Sequence, residues 1–221
     1  MEYLVRRTTK VPELQGKWSG AVWKRAETLT VANFRAESSD HRPKVQARLL
    51  YDAQNVYGLY RVEDRYIRAV ADSFQGMVCR DSCVEFFFRP GNAKGYFNFE
   101  FNCGGTFLVF YVIDHTRTAD GFKDYVKLTD DDGRQVRMFH SMPTIVEPEI
   151  AEKKTWSLEF AIPLAMLARY TGPLADPAGQ VWNANLYKCG DQTSHPHWAS
   201  WNPVDELNFH LPRCFGQIRF E

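Results

Sequence analysis

Two aromatic-rich segments constrain this chain most: Ser82 to Arg89 (SCVEFFFR) and Tyr96 to Asn102 (YFNFEFN), on either side of Pro90-Gly91-Asn92-Ala93-Lys94-Gly95. Their composition and near-alternation make each a strand, and the Pro- and Gly-containing connection turns the chain back on itself. Thr106 to Ile113, following Gly104-Gly105, adds a third antiparallel strand. The pattern recurs elsewhere. Lys44 to Tyr51 (KVQARLLY) and Val56 to Glu63 (VYGLYRVE) alternate around the polar cluster Asp52-Ala53-Gln54-Asn55, which reads as a hairpin. Val126 to Leu128 and Gln135 to His140 flank Asp130-Asp131-Asp132-Gly133, whose glycine is expected to supply the positive φ of another hairpin turn. Trp156 to Ile162, Val181 to Lys188 and Phe215 to Phe220 complete the strands. Only Leu164 to Tyr170, between Pro163 and Gly172-Pro173, reads as a helix.

Closely spaced strands with turns between them favour two packed antiparallel sheets over βαβ units. The expected fold is all-β, an antiparallel β-sandwich of two packed sheets with one short helix. At 221 residues and 44% apolar content the chain is expected to form a single domain over residues 1–221. Asp114 to Lys123 and Glu147 to Lys154 read as weakly organised.

Lys plus Arg balance Asp plus Glu at 27 each, without a long run of either sign, so neither nucleic acid nor an anionic membrane is an expected partner. No apolar run approaches the ~18 residues of a bilayer span. The start Met1-Glu2-Tyr3-Leu4-Val5-Arg6-Arg7 lacks the apolar region of a signal peptide, so a cytoplasmic location is expected if Met1 is the native start. Cys79, Cys83, Cys103, Cys189 and Cys214 form no CxxC pair and read as free, buried thiols in a reducing compartment.

Catalytic signatures are sparse. The chain carries no GxSxG, HExxH, phosphate loop or strand-linked GxGxxG. A glycosidase needs two carboxylates roughly 5 to 9.5 Å apart, and Glu85 and Glu100 have the strand positions to face each other. Their alternation with Phe86, Phe87, Phe88, Phe97, Phe99 and Phe101 only partly separates acids from rings. Structural hydrogen bonding and ligand contact therefore compete with catalysis. His195, His197 and His210 fit no zinc spacing and read as capping, turn or ligand contacts.

Aromatic placement carries more information. Trp156 and Trp182 lie within strand patterns and read as core, while Trp18 and Trp23, beside Gly16 and Gly20, read as packing a short turn. Trp198 and Trp201 share the loop His197-Trp198-Ala199-Ser200-Trp201-Asn202-Pro203, which has no strand period long enough to bury two indoles. An exposed indole beside hydrogen-bonding groups suits the C–H face and hydroxyls of a sugar ring.

Six segments in order then resemble family 9 carbohydrate-binding modules: Val62-Glu63-Asp64; Asp81-Ser82-Cys83-Val84-Glu85-Phe86-Phe87; Tyr96 to Asn102; Trp156 to Pro163; Trp182-Asn183-Ala184-Asn185-Leu186-Tyr187; and Trp201 to Phe220. The match runs from about Val45 to Phe220. The resemblance implies an immunoglobulin- or DOMON-like sandwich, often fused to xylanases, that clamps a terminal sugar between two aromatic rings and carries structural calcium. Carried over by position, the later clamp ring is expected at Trp201, with Trp198 second. The earlier ring falls between Asp64 and Asp81, where Tyr66 and Phe74 stand and no tryptophan is present. Arg80, Asn98, Glu100 and Asn102 are the expected polar contacts, since amides and a guanidinium suit vicinal hydroxyls. Asp64 and Asp81 are the expected calcium ligands, and Asp130-Asp131-Asp132-Gly133 reads as a turn.

The leading expectation is thus non-catalytic binding of a carbohydrate, a glycan end or an oligosaccharide of plant-polysaccharide type. An xylanase-type glycoside hydrolase using Glu85 and Glu100 in carbohydrate catabolism is the alternative. A haem or electron-transfer relative would need exposed axial Met or His ligands.

Overall fold

The structure, a computed structural model, describes residues 1–221. The front sheet runs in the order Gly121–Lys127, Phe110–Thr118, Tyr96–Asn102, Cys83–Arg89, Val181–Cys189, Gly216–Phe220. The back sheet runs Lys44–Tyr51, Asn55–Asp64, Lys154–Pro163, Arg137–His140. Glu2–Arg7 joins the two. Its first residues pair in parallel with Gln217 to Phe220, and Arg6 and Arg7 pair in parallel with Leu50 and Tyr51. The sandwich is thereby closed along one edge, and the pairing there departs from the all-antiparallel expectation.

Alternation in the aromatic strands is cleaner than the sequence implied. Phe86, Phe88, Phe97, Phe99 and Phe101 all point between the sheets and meet Tyr60, Trp156 and Phe160 from the back sheet. The Phe101 and Phe160 rings stack at 5.0 Å. Burying each such ring stabilises the fold by roughly 2–3 kcal/mol. Gly58 makes this approach possible, since a Cβ there would lie 2.1 Å from the Phe160 ring. Trp156 and Trp182 are core residues, as expected. All five cysteines are free; Cys79 is half-buried and the rest are buried.

The helix Leu164–Thr171 follows Pro163 at its N-cap and ends at Gly172, whose φ of 83° is open to glycine. Three local expectations change. Asp130–Gly133 is a helical turn, capped by Thr129, whose N–H donates to the Asp132 carboxylate at 3.0 Å while Thr129 Oγ1 accepts from Asp132 N–H. Gly133 has no positive φ, and Arg137–His140 pairs with Lys154–Pro163 in the other sheet, so this connection is a crossover and no hairpin. The acidic run suits a helix N-terminus better than a hairpin turn. Asp114 to Lys123 forms the tip of the Phe110–Thr118 and Gly121–Lys127 ribbon, with register shifts along it. Val146–Ile150, overlapping the second weakly organised segment, pairs with Ile67–Ala69 as a small separate sheet.

Candidate functional site

Because the phenylalanines take the inner face, Glu85, Asn98 and Glu100 are left on the outer face of the front sheet. Glu85 and Glu100 are direct cross-strand partners. This face is not open to solvent across its width. The 110–127 ribbon, the loop carrying Leu207 to His210, and Trp198 with the Met77 to Cys79 turn rise around it and leave a cleft of about 540 Å³. Its size lies within the roughly 300–1,000 Å³ of small-ligand sites.

The floor is electrostatically unusual. Glu85 is buried, and its Oε2 has no hydrogen-bond partner, while Oε1 accepts only from the Cys189 thiol at 3.1 Å. Burial, then the adjacent Glu100 carboxylate, push the Glu85 carboxyl well above its ordinary range. Burial likewise pushes Glu100 up to about 7, against the opposing hydrogen bond from Asn98 Nδ2 at 2.9 Å. Two facing carboxyls in a sheltered site hold at least one proton between them at neutral pH. The floor therefore presents both an O–H donor and carboxylate acceptors. His210 stands beside it, its Nε2 3.9 Å from Glu100 and its Nδ1 2.8 Å from the Tyr96 hydroxyl. Burial, then the nearby Arg117, keep that imidazole neutral.

Trp198 forms one wall. Its indole N–H donates to Asp191 Oδ1 at 2.8 Å, which fixes the ring's orientation, and the ring is half-buried. Phe110 and Tyr125, 5.3 Å apart on the ribbon, form another wall, and Phe209, stacked on Tyr187 at 4.1 Å, a third. The structure thus brings together Trp198, Asn98 and Glu100 among the residues anticipated from sequence.

The others lie elsewhere, for identifiable reasons. Trp198–Ser200 is a short strand paired with Tyr187 to Cys189, and its alternation turns Ala199 and Trp201 inward. Trp201 is 5% exposed, wedged against Gly216, so the expected order of the two indoles reverses. Tyr66 does not line the cleft but stacks on His195 at 3.6 Å. Phe74 packs on Phe107 and over Gly133. Arg80 is exposed outside the cleft. Asn102 is consumed by structure, donating to Asp81 and Ala71 O and accepting from Thr106 N–H. Asn98 is itself half-committed, since its Oδ1 accepts from Phe110 N–H at 2.7 Å. Asp191 and the ribbon aromatics escaped sequence reading. The signal available was the recurrence of Phe110, Phe122 and Tyr125 among the polar and charged residues of the ribbon.

Neither implied calcium ligand has the surroundings of a hard-cation site. Asp81 accepts from Arg68 Nη1, from the Val70 and Ala71 N–H groups and from Asn102 Nδ2, all at 2.9 to 3.1 Å. Asp64 Oδ1 meets His41 Nε2 at 2.8 Å and the Arg65 N–H at 2.9 Å. Its Oδ2 accepts from Trp156 Nε1 at 3.1 Å and faces Lys188 Nζ at 3.6 Å. Burial alone would raise the Asp64 carboxyl, but Lys188 and His41 hold it well below the usual range. Calcium takes six to eight oxygen ligands, whereas these carboxylates are surrounded by N–H donors. The residues present do not fit that ion.

A family model, "Carbohydrate-binding family 9", matches residues 21–220. Comparison with curated proteins gives no match. Among solved structures, one similar chain is a Bacteroides uniformis ATCC 8492 protein to which carbohydrate binding is attributed: TM-score 0.86, 26% identity, covering 100% of this chain and 99% of that one. A family 9 carbohydrate-binding module from Caldicellulosiruptor kristjanssonii, in complex with glucose, has TM-score 0.63 at 12% identity, over 100% of this chain and 96% of that one. A module of the same family and organism in complex with cellotriose gives 0.61 at 13%, over 100% and 94%. At those identities the two modules share the fold.

Proposed function

The chain belongs to carbohydrate-binding family 9, and from that premise we propose that the cleft above Glu85 and Glu100 is its sugar site. The supporting observation is the unpartnered Glu85 Oε2, buried at the floor of an aromatic-walled cleft. A buried polar atom without a partner is costly unless a ligand completes it. A sugar hydroxyl can donate to one carboxyl of the pair and accept from the protonated other. The ring's apolar C–H face packs against Trp198, whose indole Asp191 already orients, so little rotamer entropy is lost on binding. Phe110, Tyr125 and Phe209 enclose the remainder.

We take the ligand class to be a glucan end or short oligosaccharide of plant-polysaccharide type, by analogy with the glucose and cellotriose complexes of the Caldicellulosiruptor modules. The role that follows is an accessory one in polysaccharide breakdown, holding substrate for a separate hydrolase. Titration calorimetry with glucose and cellotriose tests it. Wild-type protein should bind, and Trp198→Ala and Glu85→Gln should each weaken binding tenfold or more while Tyr66→Ala leaves it unchanged. Binding that survives both cleft substitutions would remove the site from this cleft. Hydrolysis of xylan or β-glucan fragments by pure protein, abolished by Glu100→Gln, would replace binding with catalysis.

A further inference from the structure

The surroundings of Asp64 carry an inference of their own. His41, Asp64 and His197 come from three separate segments and place one ligand atom each within 4.8 Å of one another, Asp64 and His197 buried and His41 half-buried. Two imidazoles and a carboxylate at that spacing would suit a divalent transition metal. Lys188 enters the same space from the Val181–Cys189 strand, with its side chain wholly buried. Its Nζ lies 2.7 Å from His197 Nε2 and 2.9 Å from Cys189 O, and faces Asp64 Oδ2 at 3.6 Å. The ammonium thus donates two hydrogen bonds and forms an ion pair with the carboxylate. The histidine tautomers agree. His197 Nδ1 is 2.8 Å from the His195 carbonyl, so it carries the proton and leaves Nε2 as a lone pair toward Lys188. His41 Nε2 meets Asp64 Oδ1 and donates to it.

We infer that the Lys188 ammonium is the resident cation of this buried triad, standing where a metal ion would otherwise sit, and that removing it uncovers a transition-metal site made of His41, Asp64 and His197. A divalent ion beside a buried ammonium would meet strong repulsion in a low-dielectric interior, so the lysine also excludes metal. The triad ties the loop at His41 to the end of a back-sheet strand and to the loop leading into Trp198. The cation therefore holds together the segments that position one wall of the cleft.

The test compares wild type with Lys188→Met, which keeps an unbranched apolar stem, ends one atom short of Nζ and removes the charge. Thermal unfolding is followed in EDTA, in Ca2+ and in Zn2+, with Co2+ absorption as a reporter of imidazole ligation. Wild type should melt at one temperature in all three and give no Co2+ bands. Lys188→Met should melt roughly 10 °C lower in EDTA, recover in Zn2+ but not in Ca2+, and give tetrahedral Co2+ bands. Adding His197→Ala should abolish the bands and the recovery. If Lys188→Met does not fold in EDTA, refolding in Zn2+ serves as the same readout. The inference is overturned if wild type binds Zn2+ or Co2+ at this triad, if EDTA lowers its melting temperature and Ca2+ restores it, if Lys188→Met is as stable as wild type in EDTA, or if Zn2+ neither restores nor refolds it.

Discussion

Two groups of buried carboxylates, one at the end of a back-sheet strand and one on the outer face of the front sheet, behave in opposite ways. Around Asp64 every acid oxygen faces a donor, a lysine supplies the opposite charge, and the carboxylate itself is buried. At the cleft floor Glu85 and Glu100 face each other, one oxygen has no partner, and the space above them is open. The first arrangement is what a structural ion pair requires. The second leaves interaction energy unspent, which marks a place where a ligand completes the polar groups. Closure and openness separate them, even though both were acids in strand patterns when read from sequence.

The largest effect expected to sharpen that contrast comes from neutralising one acid in each cluster. Asp64→Ala leaves Lys188 buried without its carboxylate and should cost about 3–5 kcal/mol, measured by chemical denaturation. Glu85→Gln replaces a carboxyl that burial already keeps protonated with a neutral amide of similar shape, and should leave stability nearly unchanged while sugar binding falls. If the two substitutions destabilise equally, the floor is structural and the contrast fails.

A second, comparable contrast separates the neighbouring indoles. Trp201→Ala opens a cavity in the core and should destabilise by about 3–5 kcal/mol. Trp198→Ala should cost under about 1.5 kcal/mol in stability, since its ring is half-exposed, and should act mainly on affinity. Equal losses of affinity at matched folded fraction would show that the inward turn of Trp201 does not isolate it from the ligand.

That pair also shows what the sequence made legible. Long aromatic strands announced the sandwich because seven or more alternating residues establish a period, and Trp156, Trp182 and the Leu164–Thr171 helix followed. A three-residue strand establishes none. Which indole of Trp198 and Trp201 faces inward depends on pairing with Tyr187 to Cys189, and nothing local encodes it. Glu100 and Asn98, carried over by position, line the cleft because alternation with the phenylalanines puts them on the outer face. Tyr66 and Phe74 were proposed from their place between two aspartates, but chain position does not determine which side of a sheet a connection covers. Lys188 read as the last residue of an apolar strand, and only tertiary pairing with Asp64 and His197 reveals its role.

The smallest effect is in pH, and here the two clusters differ in sign. Asp64 is held below its ordinary range, so its stabilising contribution is present above the usual carboxylate pKa and is lost as pH falls below about 4. Glu100 is raised to about 7, so the folded state binds a proton that the unfolded chain releases near its model value of 4.5. Its contribution is therefore intact below that value and is lost as pH rises toward and through 7. The share of Glu100 in that loss between pH 5 and 8 should be on the order of 2 kcal/mol. His197 and His210, buried neutral, stabilise in the opposite sense as the unfolded histidines lose their protons, so the check is a difference: across pH 5 to 8 the wild-type denaturation midpoints should fall relative to those of Glu100→Gln, and Asp64→Asn should leave that difference in place. Wild-type and Glu100→Gln profiles that run parallel from pH 5 to 8 would mean that Glu100 takes up no proton on folding, and its part in the donor half of the proposed sugar contact would go with it.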